Sequence, residues 1–290
     1  MNSSPSPELV RPLSKRKRVM TLVPGPPIGL VICLSICLGL ISTTFMVVGV
    51  STDFWELSEF SINCIRKIKD INLNASILDK ENGFYYLQKR DLTSTKLNVT
   101  FKEYTAFEHF GGIWRVCNKI SDEFRTKYRK QIYVTDPIVE KCFEYITDYP
   151  KTRDKLDEKG KWLLRMQNSA SSCTIVSLMC LLTALITGTF GILSRQVSAC
   201  MVTGVMYIVA SVFDCFGLII MHTKMSYMRS NEKCFSLSPI GFNDLCNCRS
   251  ISVSWSLPFG WLAFAMLIFA FVCWLYLSRQ FRLEKAKAMI

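Results

Sequence analysis

Two histidines in 290 residues leave little of the commonest general base and metal ligand. The chain also has no H-E-x-x-H, no G-x-x-x-x-G-K-[ST] and no G-x-S-x-G. Zinc-hydrolase, P-loop and α/β-hydrolase chemistry therefore lack their starting residues. Side chains far apart in sequence still meet in folded chains, so this argues against an enzyme without closing the question. No cofactor is called for.

Charge is missing in four long stretches: residues 28–50, 169–193, 197–221 and 257–277. About 20 helical residues cross a hydrocarbon core of ~30 Å, and each stretch is long enough. Only Asp214 carries a charge within them. The expectation is a four-span helical membrane protein. A cleaved signal peptide is the rival reading of the first stretch. That stretch exceeds the 7–15 residues typical of a signal h-region, and Gly49-Val50-Ser51 makes a poor cleavage site.

Orientation follows from the short basic flanks. Residues 1–27 carry Arg11, Lys15, Arg16, Lys17 and Arg18; the turn at 194–196 holds Arg195; residues 278–290 hold Arg279, Arg282, Lys285 and Lys287. All fall on one side of a four-span chain, which places both termini in the cytoplasm. The net charge of +12 then reads as a topology signal. Nucleic acid is not an expected partner, because the basic flanks are short and membrane-tethered. Residues 51–168 and 222–256 become the two outer loops.

The thirteen cysteines divide along the same lines. Cys33, Cys37, Cys173, Cys180, Cys200, Cys215 and Cys273 lie in the spans, where a thiol acts as a small apolar group. Cys64, Cys117, Cys142, Cys234, Cys246 and Cys248 lie in the outer loops. An even number outside suggests disulfides, with fifteen connectivities open to six cysteines. A zinc site from Cys234, Cys246, Cys248 and His222 is the weaker alternative. Two sequons, at Asn74 and Asn98, fall in the first outer loop and are the expected glycosylation sites.

That loop also contains strand patterns. In KLNVTFKE, Leu97, Val99 and Phe101 alternate with polar residues, the period of a half-buried strand. FWELSEFSI, GIWRVCNKI and, more weakly, KQIYV are further candidates. KTRDKLDEKGKWLLRMQ reads as a short outer helix or extension leading into the second span, with Trp162 at the membrane interface. Asp214 is costly within a bilayer and is expected to face the bundle or a partner. A hydrogen bond from a Ser or Thr of a neighbouring span is the plainer of those two readings.

Trp55 soon after the first span, then Gly112-Ile113-Trp114, Cys117 and a second cysteine at Cys142, make a pattern that resembles the claudin superfamily (PMP22/EMP/claudin-like tetraspan proteins). The resemblance covers essentially residues 28–280, and the details look most like the claudin-domain-containing proteins. Two spacings, Trp55 to Trp114 and Cys117 to Cys142, are longer than in classical claudins. The resemblance implies a membrane all-α four-helix bundle beneath a small antiparallel extracellular sheet, with four strands from the first loop and one from the second. It implies a Cys117–Cys142 disulfide, worth ~3 kcal/mol in the chain-entropy model for a loop of this size. It implies that Trp114 seats the sheet on the helix ends, with Trp55 near the membrane.

The function so implied is cell–cell contact or junction organisation at the plasma membrane, through the extracellular loops. The alternative is an auxiliary subunit of a channel, receptor or adhesion receptor. Expected partners are membrane lipids and either further copies of the chain, lateral or trans, or another membrane protein.

Overall fold

The computed structural model describes residues 26–67, 78–79, 84–91, 100–123, 125–126, 141–145, 158–230 and 247–289. Four long helices dominate: α1 (Ile28–Ser51), α2 (Glu158–Leu193), α3 (Val197–Ser230) and α4 (Ser256–Ala288). All four are long and apolar enough to cross a membrane. Their outward faces carry Leu34, Leu40, Met179, Ile186, Phe190, Phe216 and Phe269, all exposed, as a lipid-facing surface requires.

The inward stripe of α1 is Val31, Ser35, Gly39, Ser42, Met46 and Gly49, recurring every three or four residues. Its small members let neighbours approach closely. A Cβ on Gly39 would collide with the Tyr207 hydroxyl, which reaches across from α3. Helix α1 packs on α4, α4 on α3 and α3 on α2, while α1 and α2 touch only lightly. In the exposed and half-buried hydroxyls Thr43, Thr44, Ser172, Thr183, Thr187, Thr189 and Thr223, the O–H donates to a carbonyl of its own helix. These hydroxyls satisfy themselves within their helices.

Helix α2 has 36 residues and so is about 54 Å long at ~1.5 Å per residue. It therefore stands well clear of a bilayer core, as does the outer end of α3. Residues 158–168 and 222–230, assigned to outer loops by hydropathy, are thus helical. Hydropathy marks where apolar solvent ends, and these helices continue past that point. On the other side, α2 passes into α3 through Ser194, Arg195 and Gln196. Arg195 adopts φ 46° there, and Gln196 N–H and Arg195 N–H donate to Gly191 O and Ile192 O. This is a Schellman cap with arginine in the left-handed position usually given to glycine.

Strands β1 (Glu56–Phe60), β2 (Leu78–Asp79), β3 (Phe84–Asp91), β4 (Thr100–Phe107), β5 (His109–Gly111), β6 (Arg115–Asn118), β7 (Cys142–Glu144) and β8 (Arg249–Val253) form two sheets. The first is five-stranded and antiparallel, in the order β7-β6-β5-β1-β8. Four of its strands come from the first outer loop and β8 from the second. The other sheet, β2-β3-β4, has eight paired positions between β3 and β4. Of the candidate strands, FWELSEFSI holds β1, GIWRVCNKI holds β6, and KLNVTFKE overlaps the start of β4. KQIYV lies outside the described residues.

Candidate functional site

The last carbonyls of α1 have no partners within the helix. Two indoles take up two of them. Trp55 Nε1 donates to Gly49 O at 2.7 Å, and Trp114 Nε1 donates to Val50 O at 2.9 Å. Trp55 comes from the chain just before β1, and Trp114 from the turn between β5 and β6. The two tryptophans therefore fasten both arms of the sheet to one helix end.

Gly112 lies at the closest approach of these parts. A Cβ there would stand 2.8 Å from Asp53 Cα and 3.1 Å from Thr52 O, both backbone atoms. Any larger residue would push the β5–β6 turn off the end of α1. Beside it, Arg115 Nε donates to Asp53 Oδ2 at 2.8 Å. This pair is partly exposed and contributes little.

The carbonyls of Gly112 and Ile113 turn inward to α2. Gln167 Nε2 donates to them at 3.1 and 2.7 Å, and Ser171 Oγ donates to Ile113 O at 3.0 Å. Gln167 Oε1 in turn accepts from Lys224 Nζ of α3 at 2.8 Å, and the same ammonium lies 3.0 Å from Glu56 Oε1 of β1. Lys224 and Glu56 are 4% and 3% exposed, so this ion pair is sealed between sheet and bundle. Tyr145, just past β7, sets its ring 5.6 Å from Lys224 Nζ. Burial pushes its phenol up to about 12, with Lys224 pulling it down and Glu56 pushing it further up. Arg249 of β8 is lowered by burial, opposed by the attraction of Glu56. A polar network thus joins β1, the β5–β6 turn, α2 and α3.

Among the described residues, two disulfides close the domain. Cys117 and Cys142 occupy paired positions on β6 and β7, joined at 2.03 Å. Cys64, in the single helical turn Ile62–Ile65 after β1, joins Cys248 next to β8 at 2.02 Å. The second bond links the two outer loops. It also takes Cys248 out of the zinc alternative, since a disulfide sulfur is no thiolate ligand. His222 Nε2 instead accepts from Trp261 Nε1 at 3.1 Å. Cys234, Cys246 and both sequon residues, Asn74 and Asn98, lie outside the described residues. Among the described residues, no group of three His, Cys, Asp or Glu side chains is placed to hold a metal.

Residues 40–277 match the family described as PMP-22/EMP/MP20/Claudin tight junction. The chain belongs to that family. It is a multi-pass membrane protein with the claudin-like arrangement of four helices beneath an antiparallel sheet. No curated protein matches it. Within this family member, Trp55, Gly112 and Trp114 meet at the end of α1, and the β5–β6 turn leads directly into the strand that carries Cys117. Asp214 sits elsewhere. It is 4% exposed within the bundle, and its Oδ2 has no hydrogen-bond partner among the described residues. Among the described residues no Ser or Thr reaches that atom.

Glu56, Gln167 and Lys224 were not singled out from sequence. Lys224 did leave a signal. It is in helical phase with Leu218, Met221 and Met225, all buried, so continuing the third helix past Met221 would have turned this lysine inward.

Proposed function

We propose that this claudin-family protein mediates cell–cell contact or junction organisation at the plasma membrane through its outer loops. Both termini would be cytoplasmic, and no chemical step would be involved. The observation that carries this reading is the fastening of the outer sheet. Strands from both loops are stapled by two disulfides and fixed to the bundle by Trp55, Trp114 and the Lys224–Glu56 pair. A platform held this firmly loses little entropy on binding, which favours recognition by a preformed surface. The hydroxyls on the outward helix faces are already bonded within their own helices, which supports the outer surface as the seat of specificity.

The test uses tagged protein in cells that lack junctions, mixing expressing with non-expressing cells. Enrichment at contacts where both cells express it, and not where only one does, is the expected result. Equal density at both kinds of contact overturns self-adhesion.

The auxiliary-subunit reading is favoured by one feature. Between β1 and β5 the chain carries an additional sheet, β2-β3-β4, and the sequons at Asn74 and Asn98 lie in the same insertion. Glycans there would hinder close head-to-head packing and direct recognition to a neighbour in the same membrane.

A further inference from the structure

The end of the bundle remote from the sheet is strongly basic. Arg279, Arg282, Lys285 and Lys287 of α4 and Arg195 of the α2–α3 turn are all exposed there. Among the described residues, Glu284 is the one acid at this end, and it pairs with none of these cations. The sheet end is different. There Arg115, Lys119, Arg125, Lys141, Lys161 and Lys224 each meet a carboxylate of the chain.

The preference for basic residues on the cytoplasmic side explains where these cations lie but leaves their arrangement unexplained. Arg195 holds φ 46°, a conformation strained for arginine and free of strain for glycine. Arg279, Arg282 and Lys285 recur every three residues on an unbroken helix, so like charges become neighbours. Arg282 Nη2 donates to Met201 Sδ of α3 at 3.4 Å, a weak acceptor that leaves the guanidinium charge unmatched. The chain alone gains nothing from these features, whereas a bound anion draws on all of them.

The heights of the cations indicate which anion. Helix α4 begins at Ser256, and about 20 residues cross the hydrocarbon core, which brings Tyr276 to its inner edge. Ser278 Oγ donates to Val197 O at the start of α3, so the α2–α3 turn with Arg195 lies level with Arg279. Arg282 leans back towards the same level, onto Met201. These three arginines sit in the layer of lipid phosphodiesters, ~5–8 Å deep on each side of a bilayer. Lys285 and Lys287 stand about 14 and 17 Å beyond the core at ~1.5 Å per residue, above that layer. We propose that this surface binds the headgroup of a polyphosphorylated inositol lipid, its phosphodiester on the arginines and its ring phosphates on the lysines. Phosphatidylserine carries its charge at one level and does not reach the lysines. Binding in the membrane rests on the cytoplasmic placement of this end proposed above, since such lipids occupy the inner leaflet.

The test is native mass spectrometry of the full chain in detergent, titrated with short-chain phosphatidylinositol bisphosphate, short-chain phosphatidylserine or soluble inositol trisphosphate. The inositol lipid is expected to bind most tightly of the three. Arg195→Gly and Arg282→Ala should each weaken it by about fivefold, the worth of one basic residue at a membrane surface. Arg165→Ala, an exposed cation at the sheet end, should leave it unchanged. Arg195→Gly also separates binding from folding, because relief of the left-handed strain should leave its unfolding temperature without lipid no lower than that of the wild type. Equal binding of both lipids, or full affinity in the Arg195→Gly and Arg282→Ala chains, overturns the proposal. Soluble inositol trisphosphate binding as tightly as the lipid overturns the membrane source of the ligand. Micelles expose both ends of the bundle, so these results do not depend on orientation. Orientation is read separately from an antibody to a C-terminal tag, which should stain cells only after permeabilisation; staining of intact cells overturns the inner-leaflet assignment.

Discussion

The Lys224 ammonium and the Glu56 carboxylate lie 3.0 Å apart, separated by 168 positions in sequence and shut off from solvent between sheet and bundle. A pair in such a place costs several kcal/mol per ion to desolvate, so it acts by locking one arrangement rather than by adding net stability. Lys224→Met strands the carboxylate and is expected to cost about 3–5 kcal/mol. The double variant Lys224→Met with Glu56→Leu should recover most of that loss. Thermal unfolding in detergent measures both, and a double variant no more stable than the single one would refute the account.

The two indole caps should act separately from ring packing. Trp114→Phe keeps an aromatic ring but leaves Val50 O without its donor. A loss of about 1–3 kcal/mol is expected, the range for an acceptor left unsatisfied. Measuring Trp114→Phe beside Trp114→Ala divides the effect. Equal losses would show that the N–H contributes nothing.

The disulfide between the loops has a direct chemical readout. Peptide mapping without reduction should recover Cys64 joined to Cys248. In the Cys64→Ser variant, Cys248 should become a thiol that a membrane-impermeant maleimide labels once the sheet is unfolded. Loss of the cross-link is expected to lower stability by about 2–4 kcal/mol.

Tyr145 introduces an alkaline dependence. Its phenol titrates at about 12 in the fold and near 10 when unfolded. The folded state therefore holds the proton more tightly. The associated stability is complete below pH 10 and is lost as the pH rises through 12. Tyr145→Phe should flatten that part of the curve of unfolding temperature against pH, and an unchanged slope would count against it.

The spans were legible because a bilayer selects residues by a single property, and uninterrupted apolar runs report it. The outer end of α2 was legible in part, as a helix or extension leading into the second span, whereas that of α3 was not, since Lys224 and Arg229 look like loop residues until the helix that carries them is known. Among the strands, β1 and β6 lay within recognisable patterns. Strands β5 and β7 have three residues each, too few for a period of two to show. Trp114 and Gly112 could be picked out by their resemblance to a family pattern. Glu56 and Lys224 could not, because a pair this distant is visible only once the sheet is seated.

The bond from Cys64 to Cys248 makes a covalent ring of everything between them, including both middle spans. The first and last spans leave this ring as tails. One proteolytic cut anywhere from residue 65 to residue 247 opens the ring but releases no piece. While the bond is intact, a single nick in that interval leaves the protein in one covalent piece.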